Sequence, residues 1–419
     1  MKLITFFLAF ILFSNIFAQE FAKTAPEKVG MSSERLEYLT STFQEYVDNE
    51  ELAGAVVLIA RRGQIPYFKT FGKSDIKNKI PMAEDAIFRI ASQTKAIVSV
   101  GVMILQEEGK LLITDPVGKY IPAFKETTVA EPKEEGGYEI VKANRPITIR
   151  DLLTHTAGIG YGGGVASELW EKAKIQGWYF ADRDEPIQAT VTRMAGLPFE
   201  AQPGEKFVYG YNTDILGALI EVVSGESLDT FLKNRILDPL EMTDTHFYLP
   251  KNKKDRLTVV YSATEDGLEM APDPGHMVGQ GAYVNGPQMS FSGGAGYLST
   301  AMDYAKFLQM MLNDGTFNGK RIISPKTVEL MTVNHLADVT FPWEKGTGFG
   351  LGFSTVEDLG SRGVLGSKGE YGWGGAYHST YWVDPKEDLI VVYFTQLIPA
   401  KGLDDEDKLR ALVYQALIN

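Results

Sequence analysis

Ser92-Gln93-Thr94-Lys95 sets a hydroxyl and an amine three residues apart, on one face of a helix's first turn. In that geometry a lysine kept from water helps take a proton from a serine and makes it a nucleophile. The spacing alone carries little, because Ser74-Asp75-Ile76-Lys77 repeats it. That copy lies among Gly72, Lys73, Asn78 and Pro81, the composition of an exposed turn. Ser92 instead opens a run of Ala96, Ile97, Val98, Val100, Val102, Met103, Ile104 and Leu105 with almost no polar face. A buried strand is the alternative to a core helix here. The run outlasts a typical strand and stops at Glu107-Glu108-Gly109, an ordinary helix exit, so we read helix. A serine at its start sits beside free N–H groups at the positive end of the dipole, which stabilise an alkoxide or oxyanion. The bland reading of the tetrapeptide is an N-cap serine with a solvated lysine one turn on.

Other chemistries are thinly supported. With no cysteine there is no disulfide, thiolate metal site, cysteine nucleophile or lipidated-cysteine anchor. No Gly-x-Ser-x-Gly elbow marks an α/β-hydrolase, and none of the five histidines falls in a His-Glu-x-x-His zinc pattern. His155, in Leu153-Thr154-His155-Thr156-Ala157-Gly158, is expected to hold a loop together by hydrogen bonds. A net charge of −13 argues against nucleic acid and anionic membrane surfaces as partners.

The elements that must position Ser92 follow from periodicity. Residues 1–18 resemble a secretory signal peptide: Lys2, an apolar stretch from Leu3 to Phe13, and a cleavage end at Asn15-Ile16-Phe17-Ala18. An exported protein, periplasmic or secreted, is the expectation; an uncleaved anchor is the alternative, though the run is short for a span. Ser32 to Asn49 is an amphipathic helix, and Ala55–Arg61 with Gln64–Phe71 signal a hairpin about Arg62-Gly63. The polar stretch Lys125 to Asn144 is expected to be a surface loop. Ile215, Leu216, Leu219, Ile220 and Val223 stripe a helix that Gly225 ends, and Tyr161-Gly162-Gly163-Gly164 suggests a mobile loop. Met302–Leu312 is helical, Thr380–Val383 and Leu389–Thr395 form another hairpin, and Leu409 to Leu417 gives a closing helix. Strands at both ends with helices between predict an α/β fold. An antiparallel sheet from about 22–90 and 290–419, flanked by helices, would carry an inserted, mainly helical lobe over about 91–289.

Ser92-Gln93-Thr94-Lys95 resembles the first motif of the serine β-lactamase and penicillin-binding-protein superfamily. Ile147 to Gly158, Pro203-Gly204-Glu205-Lys206-Phe207-Val208-Tyr209, and Ser292-Gly293-Gly294-Ala295-Gly296-Tyr297 resemble signatures of its class C β-lactamase-like branch. Gly348 to Phe353 and Trp373-Gly374-Gly375 complete the series in order, from about residue 28 to the C-terminus. The branch's second motif, Tyr-x-Asn, falls on Tyr209-Gly210-Tyr211; Asp214-Ile215-Leu216-Gly217 fixes the register, so Asn212 is not its asparagine. The third, usually Lys-Thr-Gly or His-x-Gly, reads Trp373-Gly374-Gly375. Tryptophan brings no charge to a substrate carboxylate, as lysine does. The pattern is similar to that of family VIII carboxylesterases, which use this scaffold on esters.

The resemblance implies a serine hydrolase of small-molecule esters acting through an acyl-enzyme on Ser92, with Lys95 and Tyr209 relaying its proton. Which of the two is the base stays open. The N–H groups of Ser92 and Ala376 are the implied oxyanion hole, and Trp373, Gly374, Gly375 and Tyr211 the substrate contacts. No metal or organic cofactor is implied, nor stable membrane insertion. A β-lactamase or D-amino-acid peptidase on the same scaffold is the alternative. An idle relative that binds cell-wall fragments is a third reading, opposed by the intact Ser92, Lys95 and Tyr209.

Overall fold

The computed structural model describes residues 21–418, so residues 1–18, where a signal peptide is expected, lie outside the described residues. One eight-stranded antiparallel sheet organises the chain. Its strands are β1 (Gly54–Arg61), β2 (Gln64–Asp75), β3 (Ile80–Pro81), β4 (Thr347–Phe349), β5 (Ser354–Val356), β6 (Tyr371–Gly375), β7 (Ser379–Asp384) and β8 (Leu389–Thr395). Their order is β4-β5-β6-β7-β8-β1-β2-β3, so the two ends of the chain meet at the β8–β1 seam. Register there runs from Ala55↔Thr395 to Arg61↔Leu389.

Strand β1 is buried along its whole length because both faces are covered. Val56, Leu58 and Ala60 join Ile390, Val392 and Phe394 of β8 in the core shared with Ile97, Val98 and Val102. Ala55, Val57 and Ile59 face α1 (Ser33–Asp48) and the closing helix α5 (Asp405–Tyr414), through Leu36, Leu39, Phe43, Leu409 and Val413. A one-residue slip would exchange the two sets, which fixes the register. Ser32 caps α1, accepting from the Arg35 N–H at 3.2 Å.

The run after Ser92 is a helix, α2 (Thr94–Glu107), entered through a 3-10 turn at Ala91–Gln93. Thr94 through Leu105 are all buried, which explains the missing polar face. It packs on α3 (Asn212–Ser224), ended by Gly225 in the left-handed region (φ 77°), and α4 (Ala301–Leu312) lies under β8 and β1. The polar stretch Lys125–Asn144 is not a plain loop: Thr128–Pro132 pairs with Tyr138–Lys142. The first of these strands exchanges backbone bonds with Phe199 (Ala130 N–H to Phe199 O, Phe199 N–H to Thr128 O). That support is remote in sequence, so local composition could not signal it. Among the described residues, no helix is long and apolar enough to cross a membrane.

Candidate active site

Ser92 sits half-buried in the 3-10 turn where the chain leaves the sheet side and enters α2. The turn is pinned from several sides. Ile90 N–H donates to Tyr297 O (3.1 Å), Tyr304 hydroxyl to Gln93 O (2.9 Å), and Tyr297 N–H to Thr94 Oγ1 (3.0 Å). The preceding Ala91 has φ +41°, a conformation that costs a non-glycine residue on the order of 1 kcal/mol or more. Those surrounding bonds hold it there.

Lys95, one turn on, is 1 % exposed. Its Nζ lies 3.2 Å from Ser92 Oγ, 3.1 Å from the Tyr161 hydroxyl and 2.7 Å from Gly294 O. Tyr209 presents its ring face to the same Nζ, 4.6 Å from the centroid, and its hydroxyl accepts from Trp373 Nε1 at 3.0 Å. Behind Tyr209 lies His155, with ring centroids 4.6 Å apart. Its Nδ1 is 2.9 Å from Asn212 Nδ2, and Val208 N–H donates to its carbonyl. Burial, then the charge of Lys95, hold His155 well below the usual histidine range, so it is neutral. Burial, then Tyr209, push the Tyr161 phenol well above its ordinary value.

A cavity of about 750 Å³ opens over Ser92 and is lined by Ser92, Tyr161, Tyr209 and the 373–376 segment. Trp178, Phe341 and Trp343 add apolar wall. Trp343, 58 % exposed, packs edge-on against Tyr209 (5.2 Å between centroids) and lies 5.7 Å from Trp373. The two arginines in the lining, Arg362 and Arg410, both pair with Glu370, at 3.0 and 2.8 Å. Ala376 is exposed in the turn after β6, and like Ser92 it faces the cavity. The end of β6 comes very close to the chain entering the Ser92 turn. A Cβ on Gly375 would lie 2.6 Å from Ile90 O and 2.7 Å from Ser379 Oγ, so only glycine fits.

Tyr211 is not brought to this cavity. It is fully buried against Trp170, Tyr161 and Phe180, and its hydroxyl donates to Gly177 O at 2.8 Å. As the residue before α3, it points into that aromatic cluster. Asn212 turns away too, bonding Ile159 O and Val208 O. Tyr161 and Gly294, both on Lys95, carry no assignment from sequence, although each lies in a glycine-rich stretch. The Tyr161 segment is tied down rather than loose: Gly177 N–H donates to Tyr161 O, and a Cβ on Gly162 would meet Ile175 O at 2.6 Å. At Ser74 there is no such assembly; its hydroxyl donates to Pro81 O at 3.3 Å, and Lys77 is exposed. Among the described residues, no group of His, Cys, Asp and Glu is arranged to hold a metal ion.

A serine and a buried lysine at a helix start, facing a tyrosine and the end of an antiparallel strand, define a site of the β-lactamase type. The chain belongs to the beta-lactamase family, which it matches over residues 39–415. Protein Rv1367c of Mycobacterium tuberculosis is 33 % identical over 375 residues, 87 % of this chain and 90 % of that one. Esterase EstB of Burkholderia gladioli is 30 % identical over 378 residues, 85 % of this chain and 89 % of its own. Among solved structures, EstCE1, a hydrolase with promiscuous acyltransferase activity, superposes with a TM-score of 0.77. It is 27 % identical and covers 91 % of this chain and 99 % of its own.

Proposed function

We propose that this protein is an exported serine hydrolase that cleaves small uncharged esters, with the motif pattern of family VIII carboxylesterases. The likeness to EstB and EstCE1 supports hydrolase or acyltransferase chemistry on this fold. The observation that carries the ester reading is the 3.2 Å contact of Lys95 Nζ with Ser92 Oγ beside a tryptophan that occupies the third motif and bonds Tyr209.

In this scheme Ser92 Oγ attacks the ester carbonyl carbon and its proton passes to Lys95 Nζ. The N–H groups of Ser92 and Ala376 hold the oxyanion, which forms as the carbonyl π bond opens. Collapse breaks the bond to the alcohol oxygen, which leaves with a proton relayed through Lys95 and the Tyr209 hydroxyl. Water then repeats the sequence on the acyl-enzyme and frees Ser92. A substrate carboxylate would find no unpaired arginine in the lining, which favours uncharged esters over β-lactams and peptide C-termini. Residues 1–18 are assigned as the export signal.

Turnover of p-nitrophenyl butyrate and nitrocefin, measured side by side for the mature protein and Ser92→Ala, tests this. Ser92-dependent ester cleavage with little nitrocefin turnover is expected. Comparable nitrocefin turnover would move the protein to the β-lactamase side.

A further inference from the structure

One buried carboxylate beside the site has no part in the scheme above. Asp214, in the first turn of α3, is fully buried. Its Oδ1 accepts from Ser292 Oγ at 2.6 Å and from Gly294 N–H at 3.0 Å, while its Oδ2 is buried without a hydrogen-bond partner. The carbonyl of the same Gly294 accepts from Lys95 Nζ at 2.7 Å. The carboxylate thus stands one residue behind the lysine's shortest hydrogen bond. The packing there is close: a Cβ on Gly294 would lie 2.4 Å from Asp214 Oδ2, and one on Gly293 would lie 2.4 Å from Thr213 O.

We infer that Asp214 is a positioning residue for acyl transfer, ionised and set behind Gly294 so that its charge strengthens Lys95 as a base. The inference rests on the Ser92–Lys95 chemistry proposed above. Two donors, Ser292 Oγ–H and Gly294 N–H, already point at Oδ1, and hydrogen bonds donated to a carboxyl oxygen favour the carboxylate. Its place at the start of a helix favours the same form. Burial holds the Asp214 carboxyl above the usual carboxylate range, and the Ser292 bond and the charge of Lys95 offset part of that rise. The titratable groups facing Lys95 are Tyr161, Tyr209, His155 and Asp214; those facing Asp214 are Lys95, Tyr161 and Tyr211. Burial keeps Tyr161, Tyr211 and His155 neutral, which leaves Asp214 as the anion opposite Lys95. When Ser92 gives up its proton, an ammonium forms among aromatic rings, where a nearby negative charge acts far more strongly than in water.

The test is the pH profile of kcat/KM for p-nitrophenyl butyrate, run with phosphonate labelling of Ser92. Asp214→Asn keeps the shape and removes the negative charge that faces Lys95. The acidic midpoint should then move down by about one pH unit or more. Because the resulting base is weaker, plateau kcat should fall about tenfold while KM stays within about twofold. Asp214→Ser, smaller and equally uncharged, is the second variant and should shift the midpoint in the same direction. Ser292→Ala loosens the same contact but keeps the charge, and should keep the wild-type midpoint even where kcat drops. A wild-type midpoint in whichever uncharged variant folds, or an equal shift in Ser292→Ala, would overturn the assignment. Failure of the phosphonate to label Ser92 in the wild-type protein would overturn the underlying reading and this one together.

Discussion

Gly375 gives the sharpest mechanical test of how the site is assembled. A Cβ added there would fall 2.6 Å from Ile90 O, a backbone atom two residues before Ser92, and 2.7 Å from Ser379 Oγ. The serine hydroxyl can rotate away. The carbonyl cannot, because Ile90 N–H is bonded to Tyr297 O and the Ala91–Gln93 turn follows directly. A tolerable carbon–oxygen contact is about 3.2 Å or more, so Gly375→Ala must push β6 and the Ser92 turn apart by roughly 0.6 Å. Overpacking of that size costs about 1–3 kcal/mol of stability. The same displacement would spoil the proposed oxyanion hole, the spacing of the Ala376 and Ser92 N–H groups. Losing one oxyanion donor outright costs on the order of 10²–10³ in kcat, so a partial misplacement should cost roughly 10–100-fold. Gly374→Ala is the matched comparison: its Cβ would be 3.2 Å from its nearest atom, Ser379 O, and its loss should be at least tenfold smaller. Steady-state kinetics on p-nitrophenyl butyrate, with thermal unfolding of each variant, give both numbers. Wild-type kcat in a folded Gly375→Ala would refute the role of this close approach.

Further outcomes follow from the same geometry. Trp373→Phe keeps an aromatic wall but removes the 3.0 Å bond to the Tyr209 hydroxyl, and should lower kcat/KM about 3–10-fold. Tyr161→Phe removes one of the hydrogen-bonded partners of Lys95 and should lower kcat by a similar factor, read in the same assay. Trp343→Ala opens the exposed end of the aromatic wall and should raise KM for aryl esters several-fold with a smaller change in kcat. Away from the site, hydrogen bonds from Arg256 hold the Asp244 carboxyl down at about 2, helped by Lys253. Its contribution to stability is therefore present above about pH 4 and lost as pH falls toward about 2. Allowing for solvent around the pair, Asp244→Asn should cost about 1–2 kcal/mol at neutral pH and almost nothing at about pH 2, measured by denaturant unfolding.

Ser92 was legible because its surroundings were: the apolar run from Ala96 to Leu105 separates it from Ser74, and the structure buries that run as a helix, whereas Ser74 stands half-buried near the end of β2 rather than in the exposed turn expected, with Lys77 exposed in the turn that follows. The β8–β1 seam was legible from hairpin signals at the two ends of the chain, since each strand's own turn announces it. What the sequence did not show depends on pairings made through space. The strand at Thr128–Pro132 is held by Phe199, and Lys95 is met by Tyr161 and Gly294 from segments far apart in the chain. Motif position marks Tyr211 as a substrate contact, yet its ring serves that aromatic cluster, stacked on Trp170. Trp343 stands on an irregular segment between α4 and β4, where no periodicity points to a site.

The central claim is that Ser92 is the acylated nucleophile. The most direct measurement treats the folded mature protein with an alkyl p-nitrophenyl phosphonate and maps the adduct by peptide mass spectrometry. One adduct is expected, on the peptide carrying Ser92, absent from Ser92→Ala and retained in Ser74→Ala, with ester hydrolysis lost in step with labelling. Hydrolysis that persists in Ser92→Ala, or an adduct on another residue, would contradict the claim.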